Sequence, residues 1–345
     1  MRASYAVLAA FLTAWVGGGI GVARAERLTL VEDGRAKVSI VLAEKPTRAA
    51  QFAAAELQYH LNKMTGATVP LLTDAAPTPG PTILIGESAA TRALGLKSDT
   101  FAPQEYLIGF RPGTLILMGR DAEDRGVMDY QKAGTFPGDF DEQGTVYAVY
   151  DFLERFCDVR WYLPTELGEV IPERSTVTIE GKDVRRRPAM IYRFVYKGES
   201  LPADLIGDTI DHEKGYPNLD PRSAKLFMRR LRQGGSRYNA NHSFYGYYDR
   251  FLKSQPDWFA KGHEGQPPQM CFTSQGFVNQ VVADAREYFS TGKAQPRAIA
   301  AGDFFALVPM DNATWCRCER CQAQILKEPT RGYATTSNDT ASNYI

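Results

Sequence analysis

Apolar residues recur every three or four positions from Ala49 to Met64, through Phe52, Ala53, Leu57 and Leu61. A 3.6-residue period puts these side chains on one helical face that must be buried. Thr47 is placed to cap this helix and Gly66 to end it. Two short apolar runs before it, Leu28 to Val31 and Val38 to Leu42, read as paired strands. Further strand-like runs follow at Thr82 to Ile85, Tyr106 to Phe110 and Thr114 to Met118. A second helical period spans Gly144 to Phe156, with Val146, Val149, Leu153 and Phe156 on one side. Val159 to Tyr162 and Val177 to Ile179 are expected to complete the sheet. Two helices against several strands predict a two-layer α/β sandwich over residues 26–182.

The polar stretch Lys182 to Pro188 marks the expected domain boundary, and Arg185, Arg186 and Arg187 read as a solvated linker. Strands are then expected at Met190 to Val195, Arg237 to Asn241, Gln269 to Phe272 and Phe304 to Pro309. A polar loop with Gly198, Gly207 and Gly215 follows the first of these. Between the strands lie a helix from Pro221, a residue suited to the first helical position, to Leu231, and one capped by Ser274 that carries Phe277, Val281, Ala285 and Phe289. Another helix begins at Glu319 and runs to Leu326. Such alternation predicts parallel strands with crossover helices. The expected fold class is therefore α/β: an N-terminal α/β sandwich followed by the opening strands of a (β/α)8 TIM-type barrel over 188–345. A complete barrel takes about 250 residues. Residues 188–345 hold roughly half of one, so the sequence is expected to be truncated within it.

Residues 1–25 change the setting. Arg2 precedes an apolar stretch from Tyr5 to Val22, and Ala23-Arg24-Ala25 has the small-x-small form of a cleavage site. This is the layout of a signal peptide cleaved after Ala25. The mature protein is expected to be periplasmic or secreted, to leave the membrane after cleavage, and to meet an oxidising environment. Its 40 basic and 40 acidic residues cancel, which argues against nucleic acid as a partner.

In α/β barrels, working residues follow the strands at the C-terminal rim. Those positions hold Tyr192, Arg193 and Glu199, then Asn239 to Tyr245, then Cys271, then Asp311 and Asn312. Arg193, Asn241, His242, Tyr245 and Asn312 are candidate substrate-binding residues, because amides, an imidazole, a guanidinium and aromatic faces suit sugar hydroxyls and rings. The bland alternatives are a loop histidine satisfying a backbone group for His242 and a helix N-cap for Asp311 and Asn312. Tyr245, Tyr247, Tyr248 and Trp258 could be packing or sugar platforms.

Cys316, Cys318 and Cys321 lie within six residues, and Cys271 is a fourth thiol at a preceding strand end. Four thiolates could make a closed structural zinc site. Two disulfides are the competing reading, favoured by the oxidising compartment. No cofactor is expected for catalysis. Cys157 reads as an inert core thiol.

Taken together these motifs resemble known families. Gly144 to Glu154, Val159-Arg160-Trp161-Tyr162 and Gly168-Glu169-Val170-Ile171-Pro172 resemble the N-terminal domain of α-glucuronidases and the small domain preceding the barrel in β-hexosaminidases. The second half resembles the bacterial domain-of-unknown-function family DUF4838. Asn241-His242-Ser243-Phe244, Asp257-Trp258-Phe259, Gln269-Met270-Cys271-Phe272 and the run from Asp311 through Cys316, Cys318 and Cys321 carry that likeness. Some members of that family are classed as glycoside hydrolase family 163, endo-acting β-N-acetylglucosaminidases on N-glycans. The resemblance implies a retaining mechanism in which the substrate's own N-acetyl group attacks the anomeric carbon. One carboxylate orients that group and a second acts as general acid. Asp311 is the candidate for the first role, and the general acid is expected beyond Ile345, which leaves the present chain alone inactive. The implied partner is an oligosaccharide, polysaccharide or glycoprotein glycan. Competing expectations are an α-glucuronidase acting on xylan, a non-catalytic glycan-binding protein, and a cysteine-stapled surface module.

Overall fold

A computed structural model of the chain describes residues 25–75, 78–194, 221–312 and 314–324. The expected signal peptide, Glu199 and the polar loop after Val195 lie outside the described residues. No helix among the described residues is long and apolar enough to cross a membrane. The chain divides into two compact units. Within the described residues the first takes in 25–137, 142–188 and 221–230, and the second 138–141, 189–194 and 231–324.

The first unit is built on a six-stranded sheet. In chain order its elements are β1 (Glu26–Glu32), β2 (Arg35–Ala36), β3 (Ser39–Leu42), α1 (Arg48–Thr65), β4 (Leu71–Thr73), β5 (Thr82–Ile85), α2 (Ala89–Ala93), β6 (Tyr106–Arg111) and β7 (Thr114–Gly119). They continue through α3 (Gly144–Phe156), β8 (Arg160–Trp161), β9 (Glu169–Val170), β10 (Val177–Gly181) and β11 (Val184–Arg186). The sheet order is β11-β6-β7-β5-β3-β4, with β7, β5, β3 and β4 parallel and β6 antiparallel to both of its neighbours, β7 and β11. Successive side chains point to opposite faces of a strand. Ile40, Leu42, Ile83, Ile85, Ile108, Leu115 and Leu117 accordingly join the main core, while Val41, Leu84, Leu107, Ile116 and Met118 pack with Phe101 on the other face. Each such side chain contributes roughly 1.5–3 kcal/mol when fully buried.

Helix α1 forms as its period predicts. Thr47 Oγ1 accepts the Ala50 N–H at 3.1 Å, and Gly66 ends the helix with φ of 74°, a left-handed conformation glycine adopts freely. Helix α3 is buried from Gly144 to Leu153 because it touches both α1 and the sheet. Its start abuts the end of β7 so closely that a Cβ on Gly119 would stand 2.5 Å from the Glu105 carbonyl oxygen and 2.6 Å from the Gly144 carbonyl carbon. Only glycine fits there.

Three sequence expectations for this half are corrected. Leu28 to Val31 does not pair with Val38 to Leu42: β1 pairs with β10 and β2 in a separate three-stranded sheet. Val159 to Tyr162 and Val177 to Ile179 do not extend the main sheet, since β8 pairs with β9 alone and β10 with β1. The basic linker is in part a strand: Val184 to Arg186 pairs with Tyr106 to Ile108, and Arg185 forms a forked ion pair with Glu105 at 2.9 Å. An edge strand leaves one row of side chains in water, so a charged run is compatible with strand pairing.

Helix α4 (Pro221–Arg230) also packs in this first unit. The second unit holds β12 (Tyr192–Arg193), β13 (Gly234–Gly235), α5 (Tyr245–Phe251), α6 (Gln275–Thr291), β14 (Ala300–Ala301), β15 (Phe304–Phe305) and α7 (Glu319–Gln322). Here the expected parallel strands of an opening barrel are not seen: among the described residues of this unit no parallel strand pair forms, and no closed barrel is present. The two ladders of this unit, β12-β13 and β14-β15, are antiparallel pairs two residues long. Arg237 to Asn241 is irregular, and Gln269 to Phe272 contributes a single bridge, Met270 to Phe259. The unit's core is aromatic, with Phe244, Tyr247, Phe259, Met270, Phe277, Val281 and Met310 buried together.

Candidate functional site

Three segments of the second unit are laced together by side chains rather than by a sheet. Ser243 N–H donates to the Val308 carbonyl at 3.0 Å, and Val308 N–H donates to Ser243 Oγ at 2.8 Å. The fully buried amide of Gln269 takes the place of a strand partner. Its Nε2 donates to the carbonyls of Met310 (2.7 Å) and Asn312 (3.1 Å), and its Oε1 accepts Met310 N–H at 3.1 Å. Buried backbone groups without a ladder must find such partners.

This lacing brings His242 and Asp311 together. His242 Nδ1 stands 2.6 Å from the Pro309 carbonyl oxygen, and Nε2 stands 3.8 Å from Asp311 Oδ2. A carbonyl only accepts, so Nδ1 carries a proton and Nε2 is the nitrogen turned to the carboxylate. The Asp311 side chain is 90 % exposed and that of His242 32 %, so the pair faces solvent.

The other candidates have other surroundings. Asn241 is exposed and its Oδ1 accepts the His242 N–H at 2.8 Å. Asn312 ties its loop to the 268 segment: Nδ2 donates to the Pro268 carbonyl at 3.1 Å, and Oδ1 accepts Thr314 N–H at 3.0 Å. Arg193 sits on β12 and donates to the carbonyls of Arg232 (2.9 Å) and Met190 (2.7 Å). Tyr245 opens α5, 45 % exposed, with the Arg297 guanidinium 5.8 Å from its ring centre. Tyr247, Tyr248 and Trp258 belong to the aromatic core, Tyr248 lying 4.9 Å from Phe259 and Trp258 4.8 Å from Phe251 between ring centres.

The four cysteines converge. The Sγ atoms of Cys271, Cys316, Cys318 and Cys321 all lie within 4.8 Å of one another, and all four thiols are free. Cys271 Sγ is 3.7 Å from Cys321 Sγ and 3.8 Å from Cys318 Sγ. Lys261 N–H donates to Cys316 Sγ at 3.3 Å, and Thr273 Oγ1 lies 3.2 Å from Cys321 Sγ. Cys318 stands at the N-cap of α7. Burial opposes ionisation of Cys318, but hydrogen bonds from the Cys321 backbone and the neighbouring thiols outweigh it and hold the group down at about 6. Burial pushes the Cys321 thiol up to about 12. Cys157, in the first unit, is buried and likewise raised to about 12 by that burial.

Sequence reasoning missed a polar network inside the first unit. Glu56 is fully buried on α1 and accepts from Arg230 of α4, from Tyr150 Oη at 3.0 Å and from Tyr130 Oη. Arg230 also pairs with Glu169, which Lys63 meets at 2.8 Å. His60, one turn after Glu56, has Nδ1 at 2.7 Å from the Glu56 carbonyl and accepts from Trp161 Nε1 at 3.2 Å. The available signal was Glu56 and His60 at i, i+4 within an otherwise apolar helical face.

The family described as Domain of unknown function (DUF4838) matches residues 163–337, just over half of the chain. The chain belongs to the DUF4838 family. The match takes in every candidate site residue named above, from Arg193 to Cys321. Solved structures similar to this DUF4838 chain include BtGH115A, a family GH115 4-O-methyl-α-glucuronidase with specificity for decorated arabinogalactans. It is 16 % identical over 60 % of this chain and 25 % of its own, with a TM-score of 0.36. The GH20 β-N-acetylhexosaminidase of Streptomyces coelicolor A3(2) is 11 % identical over 50 % of this chain and 26 % of its own, TM-score 0.29. A mutant Streptomyces plicatus β-hexosaminidase in complex with GlcNAc is 11 % identical over 51 % and 28 %, TM-score 0.30. The chain thus spans about a quarter of the length of these glycoside hydrolases. No curated protein matches it.

Proposed function

We propose that this DUF4838 chain is part of an exported protein that hydrolyses glycans, with β-N-acetylglucosaminides as the substrate class and the substrate's acetamido group as nucleophile. The observation that carries the reading is the His242–Asp311 pair. Asp311 is a solvent-facing carboxylate on a loop whose backbone is held by Gln269, and its neighbour His242 is oriented by the Pro309 carbonyl. A carboxylate held in place can stabilise the positive charge that develops on an acetamido group during attack. His242 Nε2 can lend or accept a proton beside it. Asn241 and Tyr245 flank His242 in sequence and supply the amide and the aromatic face a pyranose ring binds. Asn312 and Arg193 support loop backbone through the hydrogen bonds described, and in this proposal they shape the site. The general acid is assigned to no described residue.

Incubating the complete gene product with an N-glycoprotein and with glucuronoxylan, and reading released sugars by mass spectrometry, tests the proposal. Release of N-acetylglucosamine-terminated glycan is expected; release of uronic acid alone would overturn the substrate class. One observation favours a second reading, glycan binding without turnover: Asp311 is nine-tenths exposed, whereas a working carboxylate is commonly tuned by burial. Retention on a glycan column without product would select it.

A further inference from the structure

We propose that Cys271, Cys316, Cys318 and Cys321 bind one zinc ion as a closed, four-thiolate structural centre, independently of the glycan reading. A regular tetrahedron with Zn–S bonds of about 2.3 Å has edges of about 3.8 Å. Two edges of the cysteine cluster measure 3.7 and 3.8 Å, and no pair of its sulfurs is separated by more than 4.8 Å. Disulfides would draw the sulfurs together two by two at about 2.05 Å; here all four approach one common centre.

The surroundings suit thiolates. Lys261 directs its backbone N–H at Cys316, and its ammonium interacts electrostatically with Cys271 and Cys318. Such donors around a metal's ligands fix their orientation and offset their charge. Cys271, Cys316 and Cys321 are buried and Cys318 half-buried, so four protein ligands close the site and no position is left for a substrate. Soft sulfur ligands in tetrahedral array select zinc over the hard divalent cations.

The local core supplies a second argument. The hydrophobic cluster here consists of Ala260 and the cysteines themselves. Helix α7, four residues long, is far below the length at which a helix holds alone. One alanine cannot dock such a turn, whereas metal binding supplies folding free energy directly. The ion would fasten the 316–321 segment to Cys271, two residues from the Gln269 amide that holds the Asp311 loop.

Elemental analysis of the purified chain tests this. About one zinc per chain is expected, unchanged in Cys157→Ser and lost in a Cys316→Ser, Cys318→Ser double variant. Because that variant could fail to fold, Cys318→His is the companion: it should keep one metal and, after cobalt substitution, show tetrahedral absorption with weaker sulfur-to-cobalt charge transfer. Iron in place of zinc, metal-free protein with the four thiols paired or freely alkylated, or full zinc retention in the double variant would each overturn the assignment.

Discussion

Arg230 donates to both carboxylate oxygens of Glu56, from Nε at 2.9 Å and from Nη2 at 3.2 Å, across 174 residues of chain. Both side chains are withdrawn from water. Removing one partner of such a pair leaves the other charge buried and unpaired, at a cost of about 3–5 kcal/mol. Arg230→Ala should therefore destabilise the first unit by that amount in urea unfolding. Arg230→Met combined with Glu56→Gln should recover part of the loss, because it removes the buried Glu56 charge together with its partner and leaves Glu169 paired with Lys63 alone. A double variant no more stable than Arg230→Ala would show that packing, not charge, holds α4.

Acid should weaken this unit over two ranges of pH. Burial holds His60 below its usual range, so it stays neutral when folded and takes up a proton on unfolding as pH falls below about 6.5. Burial alone would raise Glu56, but the Arg230 charge and the hydrogen bonds from Arg230 and Tyr130 outweigh it and set the group at about 2. Its folded value lies below the unfolded one of about 4.3. Roughly 3 kcal/mol of stability, present above that value, is thus lost as pH falls towards 2. Asp121 works in the opposite sense. Burial, only partly offset by hydrogen bonds from Thr145 and Thr47, raises it to about 6, so its protonation favours the folded state between about pH 6 and 4. Asp121→Asn should make stability fall more steeply than in the wild type across that interval, with parallel curves below it. Equal slopes throughout would contradict the assignment.

Gly119→Ala should cost about 1–3 kcal/mol, the range of overpacking in a filled interior. The added Cβ would meet the backbone of Glu105, which directly precedes the interior strand β6, and of Gly144, which opens α3. Thermal unfolding measures it; an unchanged midpoint would mean that α3 can slide on the sheet.

Asp311→Asn should leave stability within about 0.5 kcal/mol of wild type, as surface changes usually do, while lowering glycan turnover about a hundredfold. His242→Gln should lower kcat more than it raises KM, because its proposed part is to pass a proton rather than to bind the sugar. Near-normal turnover in Asp311→Asn would remove that carboxylate from the proposed site.

Where a local period decided the matter, the sequence was a close guide. The helix from Gly144 to Phe156 and the strand from Thr82 to Ile85 fall on the bounds their apolar patterns imply. The same reasoning gave a strand at Arg237 to Asn241 that does not form and one at Phe304 to Pro309 that forms only over Phe304–Phe305, beyond which Ser243 and Gln269 satisfy the backbone of Val308 and Met310 and allow the apolar run to remain a loop. Among the candidate site residues, the cysteines were legible as a group through their spacing. The approach of His242 to Asp311 depends on Gln269, whose buried amide has no sequence signature. Arg230 gives no signal of its own, since nothing near it in sequence names Glu56 as its partner.

The membership of α4 in the first unit bears on how the molecule can be dissected. Residues 189–194 belong to the second unit and 221–230 to the first, so no single cut in the chain yields both units whole. A piece ending at Pro188 would keep Glu56, Tyr130 and Tyr150 but forfeit their guanidinium, and a piece starting at Ala189 would carry an arginine helix with no carboxylate to receive it. The two halves are separable on paper at a proline, yet each is chemically incomplete when severed there.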